Sequence, residues 1–187
     1  MAQVILVTGG SRSGKSRFAE ATALAVAGRR AYIATAPVCD AEMAARVAEH
    51  RRRRNGAGWD TIEEPLALAD AIRAATGRYE VILVDCLTLW LNNLLYRAET
   101  DPAAGAFTEA ATAAACRELE AACREFAGTV VFVISEVGCG IVPESPAARL
   151  FRDCSGRCAQ AVAAFADRVF LVSCGLPLLL KSSGSDG

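Results

Sequence analysis

The chain has 187 residues, with 20 Lys and Arg against 21 Asp and Glu, and a net charge of −1 excludes a generally basic nucleic-acid surface. Hydrophobic residues make up 53%, much of it alanine, yet no run reaches the roughly 20 apolar residues that span a bilayer. The length suits one α/β domain, expected over residues 1–181 with a disordered Ser/Gly tail at 182–187, and the absence of a signal-peptide layout predicts a cytoplasmic enzyme.

In chain order, Val4–Thr8 is a short apolar run that predicts a buried strand, and Arg17–Ala25 predicts a helix ending near Gly28. Between them Gly9-Gly10-Ser11-Arg12-Ser13-Gly14-Lys15-Ser16 matches G-x-x-x-x-G-K-[ST], the phosphate-binding loop. Glycines let successive N–H groups turn inward around phosphate oxygens, and the helix N-terminus adds partial positive charge. Lys15 reaches the β- and γ-phosphates, and the Ser16 hydroxyl ligates Mg²⁺. A Gly/Ser-rich turn is the plain alternative. Correct flanks on both sides decide for the loop, so the chain binds a nucleoside triphosphate.

Ala31–Thr35 predicts a second strand, and Pro37 forces an extended exit before an N-cap at Asp40. Glu42–Arg54 reads as a helix with Arg46, His50 and Arg54 on one face. Trp59–Pro65 reads as an extended link, and Leu66–Ala75 as a helix. Tyr79–Asp85 is an apolar strand ending in a carboxylate, the position that orients Mg²⁺ or its waters in phosphate-loop enzymes; capping the next helix is the alternative role for Asp85. Helix follows over Thr88–Tyr96, then a mobile connection over 99–107, and a long Ala-rich helix over Phe107–Phe126.

Thr129–Ser135 is a buried strand running into the glycine-dense loop Glu136–Glu144, at the sheet edge where parallel folds bind ligands. Ser145–Ala166 is helical and carries Arg149, Arg152 and Arg157, which with the Glu136–Pro143 loop are assigned to the substrate side. Two short strands, Arg168–Ser173 and Leu178–Lys181, flank a turn at Gly175-Leu176-Pro177. Alternating strands and helices imply a mostly parallel sheet flanked by helices, closed by an antiparallel hairpin.

The eight cysteines form no C-x-x-C pair, and with one histidine they lack the usual zinc-ligand spacing. Cys86 and Cys174 in apolar runs, and Cys116 and Cys123 in Ala-rich helices, read as small buried hydrophobes kept reduced. His50, followed by Arg51-Arg52-Arg53-Arg54, has two readings. A solvated arginine face with an incidental imidazole is one. The other is a phosphate grip beside a neutral, nucleophilic ring, since nearby positive charge lowers a histidine's pKa.

Taken together, Gly9–Arg17, Tyr32–Thr35, Asp40–Arg46 with His50-Arg51, and Trp59-x-Thr61-x-Glu63 resemble the bifunctional adenosylcobinamide kinase / adenosylcobinamide-phosphate guanylyltransferase family. So do Asp85–Thr88 with Asn92–Leu95, and Glu136–Glu144 with Arg149-x-Phe151-Arg152-Asp153-x-x-Gly156-Arg157. The resemblance spans essentially the whole chain. It implies a RecA-like P-loop NTPase fold, a homotrimer, and two reactions of cobalamin assembly. Adenosylcobinamide first takes the γ-phosphoryl group of ATP or GTP. GMP from a second GTP then passes through a GMP–histidine intermediate, matched by His50, to give adenosylcobinamide-GDP and pyrophosphate. The resemblance further implies nucleotide contacts by Gly9 to Ser16, Ala34, Thr35, Ala36, Arg51, Arg52, Arg53, Arg54, Glu63 and Asp85, with Ser16 and Asp85 at the metal. Some relatives carry Glu at the position of Asp85 and Asn at that of Ser135.

Two rival functions need less. A small-molecule kinase without a covalent step requires only Lys15, Ser16 and Asp85. A nucleotide switch such as a regulatory GTPase commonly carries Asn-Lys-x-Asp, which this sequence does not contain.

Overall fold

A computed structural model describes residues 1–36 and 58–183. These build a seven-stranded sheet in the order β3-β2-β4-β5-β1-β6-β7. Strands β1 (Gln3–Gly9), β2 (Arg30–Ala34), β3 (Trp59–Glu63), β4 (Val81–Asp85), β5 (Thr129–Ser135) and β6 (Arg168–Ser173) run parallel. The last strand, β7 (Leu176–Ser182), returns antiparallel along β6. The α/β class with a C-terminal hairpin is therefore as the sequence predicts.

The central strands are apolar at nearly every position because helices cover both faces. On one face Leu6, Ile82, Val84, Phe132 and Ile134 pack with Leu68 and Ile72 of α2 (Leu68–Ala75), Leu91 of α3 (Leu87–Thr100), Leu119 of α4 (Glu109–Glu125) and Val162 of α5 (Pro146–Phe165). On the other, Ile5, Val7, Leu83, Val131 and Val133 meet Ala19 and Ala23 of α1 (Lys15–Leu24). Alternate residues of each strand thus serve two separate cores. The alanines of α1 let that helix approach the sheet closely.

Several boundaries differ from the sequence reading. Trp59–Glu63 is a paired strand rather than a link: it bonds to β2 in register from Arg30↔Trp59 to Ala34↔Glu63. Its polar Asp60, Thr61 and Glu63 are tolerated because it is an edge with one neighbour. Helix α3 continues to Thr100, and the connection after it contains a 3-10 turn at Pro102–Ala104, whose Ala103 N–H bonds to Asp101. Phe107 is buried in the core ahead of α4, which begins only at Glu109 after an N-cap from Thr108.

The hairpin turn is Cys174-Gly175, not Gly175–Pro177. Both turn residues have positive φ, 53° and 79°, the signature of the tight two-residue loop whose twist matches its strands. Cys174 is consequently exposed rather than buried, while Cys86, Cys116 and Cys123 are buried as expected and so are Cys154 and Cys158. Pro177 lies in β7, where an edge strand tolerates its missing N–H. Ser182 closes β7, so the expected tail boundary moves past it; the rest of that tail from 184, the 42–54 helix, Asp40 and Cys39 lie outside the described residues.

Gly128, between α4 and β5, shows how tight the end of the sheet away from the loop is. A Cβ there would sit 2.3 Å from the Glu80 carbonyl oxygen and 2.7 Å from Phe126 Cε1. That carbonyl is already engaged by Thr129 N–H at 2.8 Å, so it has little freedom to yield. Gly128→Ala should lower stability by about 1–3 kcal/mol through overpacking. A urea midpoint unchanged from the parent protein would contradict it.

Candidate nucleotide site

Six parallel strands deliver their C-terminal ends to one edge. In register, Glu63 lies beside Ala34, Ala34 beside Asp85, and Gly9 beside Ser135. The phosphate loop leaves β1 at Gly9 and enters α1 at Gly14, whose φ of 96° is left-handed. Gly14 brings no side-chain cap, and the first turn of α1 holds no acid. Its first N–H groups are therefore left uncapped by any side chain, as an anion site at a helix N-terminus requires.

The loop is held from beneath by its own backbone and by the hairpin. Ser13 N–H donates to the Gly10 carbonyl at 3.2 Å, and Gly175 N–H donates to the Ser13 carbonyl at 2.8 Å. A Cβ on Gly9 would lie 2.4 Å from the Val172 carbonyl oxygen and 2.6 Å from Ser13 Oγ. Lys15 Nζ donates to the Gly10 carbonyl at 3.1 Å, which folds the ammonium back over the loop it opens from. Ser13 Oγ is buried and has no hydrogen-bond partner among the described residues.

Asp85 closes β4 on the α1 face of the sheet, and Tyr32 donates its hydroxyl to Asp85 Oδ2 at 2.9 Å. The neighbouring Cys86 thiol reports the local field. Burial first, then the Asp85 charge, push it up to about 11, while Lys15 pulls it the other way. Asp85 and Lys15 therefore both act within electrostatic reach of one sulfur. Among the described residues no three His, Cys, Asp or Glu side chains converge on a metal cage. Mg²⁺ does not need one: it typically takes one or two protein oxygens and fills its shell with phosphate and water. The Asp85 carboxylate and the Ser16 hydroxyl offer that kind of donor.

The β2 exit is fixed by contacts that the sequence reading missed. Thr35, fully buried, donates its hydroxyl to the Cys86 carbonyl and accepts from Cys86 N–H, both at 2.8 Å. Asn93 on α3 donates to the Thr35 carbonyl at 2.7 Å and to the Pro65 carbonyl at 3.0 Å. Thr88 receives Ser135 N–H at 2.8 Å, pinning the end of β5 to the start of α3. The signal was a polar Asn inside an otherwise apolar helix face, but the partners are 58 and 28 residues away.

Gly9 to Ser16, Ala34 to Ala36 and Asp85 thus share an edge. Glu63 stands on the outermost strand, four strand spacings or about 19 Å from β1. It is not brought to the loop. His50 and Arg51 to Arg54 lie outside the described residues. Arg149 and Arg152, expected on the substrate side, tether the Glu136–Glu144 loop: Arg149 bonds the Pro143 and Glu144 carbonyls at 3.0 and 2.6 Å, and Arg152 bonds the Gly138 carbonyl at 2.6 Å. Arg157 pairs with Glu109.

The Asn93 bridge yields a direct test. Asn93→Ala leaves two carbonyls without their donor, at a cost of about 1–3 kcal/mol if they stay dry. We expect a lower melting temperature together with weaker nucleotide binding, because Thr35 is freed at the ligand edge. A stable variant with unchanged nucleotide titration would show that the bridge does not position the site.

Comparison with known proteins supplies the remaining evidence. Residues 5–180 match the sequence family described as cobinamide kinase / cobinamide phosphate guanyltransferase. The chain is 44% identical over 182 residues to the bifunctional adenosylcobalamin biosynthesis protein CobU of Escherichia coli (strain K12), covering 95% of this chain and 99% of that protein. It is 42% identical over 177 residues to the bifunctional adenosylcobalamin biosynthesis protein CobP of Pseudomonas aeruginosa, covering 94% and 96%. Against the CobU protein of Salmonella typhimurium identity is 43% over 182 residues, covering 95% and 99%. With a family match over nearly its whole length and full-length relatives above 40% identity, this chain belongs to the cobinamide kinase / cobinamide phosphate guanyltransferase family.

Proposed function

We propose that the chain phosphorylates adenosylcobinamide and then guanylylates the product, as an enzyme of cobalamin biosynthesis. The observation that carries this reading is the shared edge. The phosphate loop, Asp85 and the Ala34–Ala36 exit converge there, and the segment bearing His50 is joined directly to Ala36. A donor triphosphate bound through Gly9 to Ser16 has its charge spread by loop N–H groups, Lys15 and Mg²⁺ held at Ser16 and Asp85. Bound there, Mg²⁺ would supply charge neutralisation to the transferring phosphoryl group. Glu63, a carboxylate about 19 Å from β1 by strand count, faces the nucleoside part of a ligand rather than its phosphates, which would repel it.

For the second reaction His50 is the proposed nucleophile. Its imidazole attacks the α-phosphorus of GTP, the bond to pyrophosphate breaks, and a GMP–histidine phosphoramidate carries the group to cobinamide phosphate. Arg51 to Arg54 are placed by sequence to bind phosphates beside it. The plain-kinase rival makes no such adduct, and this separates the two. Incubating the protein with GTP and Mg²⁺ should add one acid-labile GMP by mass spectrometry, and His50→Ala should abolish the adduct. Finding no adduct on the wild-type chain would leave only the kinase reading.

We further propose a homotrimer in the cytoplasm, built partly on β7. This edge strand exposes Leu176, Leu178, Leu179 and Leu180, at 72, 59, 47 and 56%, a pattern that invites pairing or packing with another chain. Because its turn donates Gly175 N–H to the phosphate loop, a second copy seated here borders the nucleotide. The double change Leu178→Glu with Leu180→Glu should shift the species seen by analytical ultracentrifugation from trimer to monomer. An unaltered sedimentation profile would place the interface elsewhere.

A further inference from the structure

We infer that Glu136 accepts the proton of the hydroxyl group that receives the γ-phosphoryl group; this rests on the kinase reading above. Glu136 follows the last residue of β5, the strand hydrogen-bonded to β1, and its N–H donates to the Gly9 carbonyl at 3.0 Å. The next carbonyl along the chain, that of Gly10, accepts Lys15 Nζ at 3.1 Å. Glu136 and Lys15 therefore grip consecutive peptide units at the mouth of the phosphate loop. The Glu136 side chain is not left to swing. Thr8, 7% exposed at the base of the loop, donates its hydroxyl to Glu136 Oε1. That is the carboxylate's one side-chain partner among the described residues.

The pleat then separates the two acids of the site. Asp85 shares its face with Val133 and with α1, Lys15 and Ser16. Thr8 pairs with Ile134 on the opposite face, which belongs to the core under α3 and α5. Glu136, aimed by Thr8, stands on that second side. A carboxylate beside a triphosphate is repelled unless it binds metal or takes a proton. Asp85 already occupies the metal side with Lys15 and Ser16. What remains for Glu136 is the proton.

The neighbouring loop indicates that the acceptor arrives on this side. Residues 138–144 are strapped at both ends by Arg152 and Arg149, while Ile141 and Val142 at the tip are 96% and 61% exposed. Two bare aliphatic side chains on an anchored loop suit a large ligand with apolar faces, as a corrinoid macrocycle has. In the step itself the acceptor O–H bond breaks as its oxygen bonds to the γ-phosphorus. The proton passes to the carboxylate oxygen not engaged by Thr8. The bond from the γ-phosphorus to the bridging oxygen breaks, and its electron pair leaves on the nucleoside diphosphate.

Glu136→Gln in the full chain tests this. It keeps size and the Thr8 contact but cannot take the proton. We expect kcat for cobinamide phosphorylation by ATP to fall about 10²–10⁴-fold, with the Mg²⁺ requirement and the affinity for a fluorescent ATP analogue within about twofold of the parent. Formation of the GMP adduct from GTP should persist, since it requires no acceptor hydroxyl, and Glu136→Asp should recover part of the lost turnover. Phosphorylation by Glu136→Gln within a few-fold of the parent overturns the proposal, and so does a large shift in Mg²⁺ dependence, which would make Glu136 a metal-side residue. Should the Gln variant fail to fold, Thr8→Val reads the same point by removing the aim, and unchanged turnover there counts equally against it. A wild-type chain that leaves cobinamide unphosphorylated while still forming the GMP adduct sinks the kinase reading itself.

Discussion

The site depends on the lack of room at Gly9. With the Val172 carbonyl oxygen and Ser13 Oγ both within 2.6 Å of where a Cβ would stand, the backbone of the loop lies directly against β6. This contact fixes three things together. It sets the height of the loop above the sheet, lets Glu136 N–H reach the Gly9 carbonyl, and brings the Cys174-Gly175 turn under Ser13. The same closeness recurs at Gly14, where a Cβ would be 3.2 Å from Gly175 Cα. The hairpin is thus a structural floor for the phosphate cradle, although its residues are the last of the sheet.

Much of this was legible in the residues because the signals were local. The phosphate loop is read from eight consecutive residues, and its strand and helix flanks from short runs beside it. Asp85 is read from a polar residue ending an apolar strand. Contacts across the chain were not legible. The Thr35–Cys86 pair spans 51 residues and the Thr8–Glu136 pair 128, and nothing in the composition of either neighbourhood marks its partner. Strand β3 escaped for another reason: an edge needs only one paired side, so its polar residues hid the alternation that identifies a strand. The turn was misplaced because a sequence shows glycine readily but not which non-glycine residue accepts a positive φ. The arginines of α5 were recognised as a group, yet Arg149 and Arg152 bond carbonyl groups of the adjoining loop and Arg157 pairs with Glu109.

Strand order explains how one sheet edge serves two transfers. The phosphate loop springs from β1, near the middle of the sheet, so ligands can approach along the edge in both directions. Towards β4, β2 and β3 lie Asp85, Ala34 to Ala36 and Glu63. On the opposite face of the sheet, Glu136 and its arginine-strapped loop stand at the exit of β5. Asp85 and Glu136 thereby stand on different flanks of a common phosphate cradle.

This division has an electrostatic logic. Loading one flank with both carboxylates would oppose the binding of a triphosphate, and a shared position would pit metal binding against proton acceptance. The β-pleat resolves the conflict through parity alone. Residue 85 aligns with 133, and 136 lies an odd number of positions beyond it, so the two acids project to opposite sides without any special turn. Thr8 extends the rule to the neighbouring strand, since its register with Ile134 puts it on the side of Glu136. The buried hydroxyl of Thr8 satisfies its own hydrogen-bonding need on the carboxylate it orients. One interaction therefore keeps the core polar-satisfied and the acid aimed, and a valine there would fit the β-strand pattern while losing both.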